Sequence, residues 1–96
     1  MLVLVTYDVS TIEAAGRKRL ARVAKTCVNY GIRVQKSVFE CNLDPAGWEW
    51  LKSELLKIYN PAEDSLRFYF LGSNWKRRVE HHGVSTGYEH DEPLIV

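Results

Sequence analysis

The feature that most constrains this chain is the order of its apolar spacings: strand, helix, two strand-like stretches, helix, strand. Leu2 to Val9 is an apolar, β-branched run that reads as a buried strand ending near Asp8. Ser10 followed by Glu13 has capping-box spacing. Leu20, Val23, Ala24, Cys27 and Val28 then recur at helical spacing up to Gly31 as a stop, although Gly16 can delay the helix start. The stretch from Ile32 to Leu43 exceeds the usual strand of about five or six residues and is predicted to bend at Gln35 to Ser37, without Gly or Pro to mark a turn. Asp44 as N-cap with Pro45 at the first helical position opens a second helix, striped by Trp48, Leu51, Leu55 and Ile58 and ended before Pro61. Leu66 to Leu71 is an aromatic-rich strand, Gly72 to Asn74 supplies turn chemistry, and Arg78 to His82 forms a short further strand.

This order is the split βαβ arrangement, an α+β fold of the ferredoxin-like βαββαβ sandwich type. Its sheet carries helices on one face only, so large apolar residues on the other face need cover. A chain of 96 residues has a thin core, and its 46% hydrophobic content can supply a second apolar surface. A homodimer with sheets packed together follows. The expected division is a domain over residues 1–83 and a tail over residues 84–96, whose closing Leu94, Ile95 and Val96 are expected to add a strand to the partner subunit. Cys27 and Cys41 lack metal-ligand spacing and read as reduced packing residues. The apolar start is too short for a signal-peptide core or a membrane span, which predicts a cytoplasmic protein.

The net charge of +1 conceals segregation, because no acid lies between Glu13 and Glu40. That window holds Arg17, Lys18, Arg19, Arg22, Lys25, Arg33 and Lys36, and Lys76, Arg77 and Arg78 follow later. Lys18, Arg22 and Lys25 share the helix face opposite the apolar stripe, a ridge that taken alone reads first as an ordinary solvated face and second as a surface for an anionic partner. Asp8 closes the first strand, where a carboxylate can hold a hard cation such as Mg²⁺. Spacing alone favours an ordinary loop aspartate there. One carboxylate is too few for a usual metal-dependent nuclease, but a twofold axis would pair two copies of it. His81 and His82 are adjacent and face opposite sides of a strand, so they cannot share one ion. Phe68, Tyr69 and Phe70 read as core, and Trp50 and Trp75 lie off the core stripe.

Val5, Thr6, Tyr7, Asp8 and Val9, then the run Tyr30-Gly31-Ile32-Arg33-Val34-Gln35-Lys36-Ser37-Val38-Phe39-Glu40, resemble the CRISPR-associated protein 2 family. The resemblance implies a ferredoxin-like homodimer with sheets packed together and a C-terminal strand crossing to the partner. It also implies Mg²⁺ held between subunits by the aspartate closing the first strand, here Asp8 with Tyr7 beside it. Arg17, Arg19, Arg33 and Phe39 correspond to positions linked to nucleic acid or activity. The family's implied roles are metal-dependent endonuclease action on single-stranded RNA or double-stranded DNA, and bridging of CRISPR integrase dimers around a new spacer duplex. Arg17, Lys18, Arg19, Arg22, Lys25 and Lys76 to Arg78 are the candidate nucleic-acid contacts.

Other readings share the element order. A toxin-like ribonuclease fits the fold. An RNA-recognition-motif-like module needs exposed aromatics on its central strands, where Ser37 to Cys41 offers only Phe39. An amino-acid-binding regulatory module fits less well, since no glycine closely follows the first strand and a basic helix suits anions.

Overall fold

The computed structural model describes residues 1–72 and 79–84. Its elements are β1 (Leu2–Asp8), α1 (Ala14–Cys27), β2 (Gly31–Gln35), β3 (Val38–Asn42), α2 (Pro45–Ile58), β4 (Ser65–Leu71) and β5 (Val79–Gly83). All neighbouring strands are antiparallel, in the order β2-β3-β1-β4-β5. The first four strands give the ferredoxin-like sheet, and β5 extends it beside β4 of the same chain.

Alternation along β1 separates two faces. Val3, Val5 and Tyr7 are buried among residues of both helices, with Phe39, Cys41, Leu66 and Phe68 from the flanking strands. Leu2, Leu4, Thr6 and Asp8 point to the face without helices. There they pair with Asn42, Glu40 and Val38 on β3 and with Leu71, Tyr69, Arg67 and Ser65 on β4. Trp48 fixes α2 on the covered face, edge-on to Phe68 at 4.7 Å and to Phe70 at 4.9 Å. Cys27 and Cys41 are free thiols in this core. Among the described residues no helix is long and apolar enough to cross a membrane.

Two local expectations are corrected. The first helix starts at Ala14 with Glu13 as an uncapped N-cap, and Ser10 does not form the capping box. A Cβ on Gly16 would stand 1.9 Å from the Ser10 carbonyl oxygen, so the incoming loop already fills that side of the first turn. Gly31 does not stop the helix, which ends at Cys27; it opens β2, where a Cβ would lie 1.9 Å from the Glu40 carbonyl oxygen. The bend between β2 and β3 falls at Lys36 and Ser37 as expected, and Arg33 stands in for the missing turn residues. Its Nε and Nη2 donate to the Lys36 carbonyl at 2.8 and 2.6 Å.

At α2 the expectation holds, with the Asp44 carboxylate accepting the Gly47 N–H at 2.7 Å. His81 and His82 face opposite sides. The second basic run at Lys76 to Arg78, Trp75 and the tail from Ser85 onward lie outside the described residues.

Candidate nucleic-acid and metal site

Asp8 is exposed at the end of β1 on the helix-free face, opposite Ser65. Among the described residues it makes no ion pair, and no group of three His, Cys, Asp or Glu side chains could hold a metal. Its neighbours on the face are Thr6, Ser65 and Arg67, with His81 beyond. His81 Nε2 lies 2.9 Å from the Val84 carbonyl, which can only accept, so that nitrogen carries the proton and also reaches Ser65 Oγ at 3.0 Å. Nε2 of His81 is therefore spent on the β4–β5 hairpin and offers no lone pair to a cation.

The covered side of β1 holds a different acid. Asp64 is fully buried and accepts the Tyr7 hydroxyl, Arg19 Nε at 2.8 Å, Arg19 Nη2 at 3.1 Å and the Asn60 N–H at 2.9 Å. Burial alone would raise its pKa, but the bonds from Arg19, then Tyr7, then Asn60 outweigh it and hold the carboxyl below the usual range. Burial, reinforced by the bond to Asp64, raises the Tyr7 hydroxyl well above the ordinary phenol range. Sequence reasoning passed over Asp64 because it sits in a polar loop with no periodicity; the one available sign is an acid immediately before a strand.

Phe39 is buried, and the Arg33 guanidinium lies 5.6 Å from its ring centroid. Both are on the helix side of the sheet. Arg17 Nη1 donates to the Thr11 and Ile12 carbonyls at 2.9 Å each, closing the loop that follows Asp8. Lys18, Arg22 and Lys25 are exposed on α1 and form no ion pairs among the described residues.

The family model for CRISPR associated protein Cas2 matches residues 1–79. The chain belongs to the Cas2 family. It is 62% identical over 96 residues to the CRISPR-associated endoribonuclease Cas2 of Chlorobaculum tepidum, covering all of both chains. It is 52% identical over 95 residues to the CRISPR-associated endonuclease Cas2 of Halalkalibacterium halodurans, covering 99% of each. Streptococcus pyogenes Cas2 in its crystal structure at pH 6.5 superposes with a TM-score of 0.74 at 60% identity, over 83% of this chain and 96% of that one. A second crystal structure, of a protein called cas2, gives a TM-score of 0.61 at 32% identity, over 99% and 98%.

The Cas2 fold thus divides the candidate residues in two. Among the described candidate residues, Asp8 is on the helix-free face, whereas Tyr7, Arg19, Arg33 and Phe39 are on the helix-covered side. No single cleft of one Cas2 chain gathers them. Arg19 is separated from the ridge as well, its side chain 18% exposed and bound to Asp64.

Proposed function

We propose that two copies of this chain pack through their helix-free faces into a nucleic-acid-binding dimer of CRISPR adaptation, with nuclease capacity centred on Asp8. The observation that carries this reading is that Asp8 is exposed on that face and has no ion pair among the described residues, while Asp64 is consumed by Tyr7, Arg19 and Asn60. The Asp8 carboxylate, with the Thr6 and Ser65 hydroxyls on the same face, suits a hard cation that keeps most of its waters, and a twofold axis would double it. Bound between the two Asp8 carboxylates, Mg²⁺ would supply an activated water and charge neutralisation for phosphodiester cleavage. Tyr7, Arg19, Arg33 and Phe39 act through the fold: the first two hold Asp64, and the last pair shapes the turn between β2 and β3. The names of the Cas2 relatives, endoribonuclease and endonuclease, support the reaction class.

The scaffold role draws on a separate observation. Lys18, Arg22 and Lys25 are exposed on the helix side. In a back-to-back dimer they would lie outward, away from Asp8, where they can grip backbone phosphates without presenting them for cleavage. Duplex DNA, single-stranded RNA and the CRISPR integrase dimers are the proposed partners, with residues 84–96 docking on the partner subunit. Asp8→Ala separates the roles. Lost cleavage with retained duplex capture alongside the integrase fits both; unchanged cleavage would remove Asp8 from the chemistry.

A further inference from the structure

Trp50 falls off the buried stripe of α2: among the described residues it is 48% exposed, whereas Trp48 is buried. A tryptophan has more apolar area to hide than any other side chain, so one left half in water invites a contact. The ring does not stand by itself. Tyr30 packs against it with the ring centroids 5.6 Å apart and the planes tilted by 43°. The Tyr30 N–H donates to the Cys27 carbonyl at 2.9 Å, which ties this residue to the end of α1. That end lies where α2 begins, since Cys27 meets Cys41 and Pro45 follows β3 closely. The aromatic pair therefore closes the C-terminal end of the ridge of Lys18, Arg22 and Lys25, with the exposed Val28 between Lys25 and Tyr30 in the chain.

Charge decides what such a surface takes. The three exposed cations run over about 10 Å of the α1 axis, enough for more than one phosphate of a strand. Beside the rings the sign changes. Glu49 is exposed next to Trp50, and Asp44 lines an open hollow of about 670 Å³ that Tyr30 also walls. Those carboxylates repel phosphate, and the part of a polynucleotide that fits the rings is the base, which is flat and uncharged. Inside a duplex the bases are stacked on one another, so only an unpaired base is free to come. We infer that Tyr30 and Trp50 form a stacking platform for an unpaired nucleobase, reached by a strand whose phosphates lie on Lys18, Arg22 and Lys25. This rests on the nucleic-acid reading of the ridge and adds the feature it selects, a single-stranded stretch or an overhang on a duplex. The platform is on the helix side, so a dimer packed through the helix-free faces does not cover it.

The test titrates the full chain with three probes in the presence of EDTA: a short single-stranded oligonucleotide, a duplex with a single-stranded overhang, and a blunt duplex. Fluorescence anisotropy gives affinity and tryptophan emission reports contact. Trp50→Ala should weaken binding of the first two by about tenfold, the worth of one stacked base, and leave the blunt duplex unchanged. Trp50→Phe keeps a ring and should recover most of that loss. The single strand should quench emission of the wild type and quench Trp50→Phe much less. Stacking releases no counterions, so the salt slope of Trp50→Ala should match the wild type, whereas Lys25→Glu should flatten it. Should Trp50→Ala fail to fold, the quenching and its loss in Trp50→Phe carry the same expectation. Single strands bound as tightly by Trp50→Ala as by the wild type, beside a loss in Lys25→Glu, overturn the platform and leave the ridge standing. So does an equal loss on the blunt and the overhanging duplex. So does undiminished nucleic-acid binding beside a lost integrase complex, which would give the rings to a protein partner. Binding unchanged in both Trp50→Ala and Lys25→Glu would instead sink the ridge, and the platform with it.

Discussion

Asp64 and Asp8 are both carboxylates at the ends of strands, and their surroundings give them opposite work. Asp64 has traded its water for donors from Tyr7, Arg19 and Asn60, so its removal strands a guanidinium and a buried hydroxyl. Asp64→Asn should lower unfolding stability by about 3 kcal/mol, read from the urea midpoint. The same residue sets an acid limb. Its folded pKa lies below the unfolded value, so its stabilisation is complete above about pH 4 and fades as pH falls through the folded pKa. A pH series of urea melts should show that limb in the wild type and a flatter one in Asp64→Asn. Tyr7→Phe keeps the core volume and removes one donor, which should cost about 1 kcal/mol or somewhat more. Cleavage by folded Tyr7→Phe should persist, because the side chain lies on the opposite face from Asp8; a collapse of kcat at full foldedness would return Tyr7 to the chemistry.

At the scale of elements, α1 and the β2–β3 hairpin show how similar sequence signals serve different ends. Gly31 looked like a helix stop, yet the close approach of Glu40 is what requires it. Gly31→Ala should therefore push β2 off β3 and cost about 3 kcal/mol, whereas a glycine serving only as a stop would lose far less. The outer face of α1 bears Lys18, Arg22 and Lys25, all exposed. Charge reversal there should weaken duplex binding at every sequence alike. Each lost phosphate contact should reduce the slope of log affinity against log salt by about 0.9. A salt slope that does not move would make the ridge a solvated face and nothing more.

For the whole molecule, one face of the sheet is sealed by helices and the other carries apolar side chains, a buried arginine and the exposed Asp8, which has no ion pair among the described residues. Such a face ties stability to association. The melting temperature should rise with protein concentration, and Mg²⁺ should raise it further in the wild type but not in Asp8→Asn. Differential scanning calorimetry at several concentrations checks both; a melting temperature independent of concentration and of Mg²⁺ would contradict the paired-aspartate reading.

The sequence by itself determined the element order, the split βαβ topology, the exposed ridge of α1 and the placing of Asp8 at the end of β1. These are local matters of period, capping and alternation, written in neighbouring residues. It also carried the family, through the runs around Asp8 and from Tyr30 to Glu40. Only the tertiary structure decided that Tyr7 and Arg19 belong to Asp64, that Arg33 caps a turn, and that Gly16 and Gly31 answer close backbone approaches. It alone showed Arg67 as a buried cation with a donor unmet among the described residues. Those outcomes depend on contacts between residues as far apart in the chain as Tyr7 and Asp64, and no local period encodes which distant acceptor a side chain will meet.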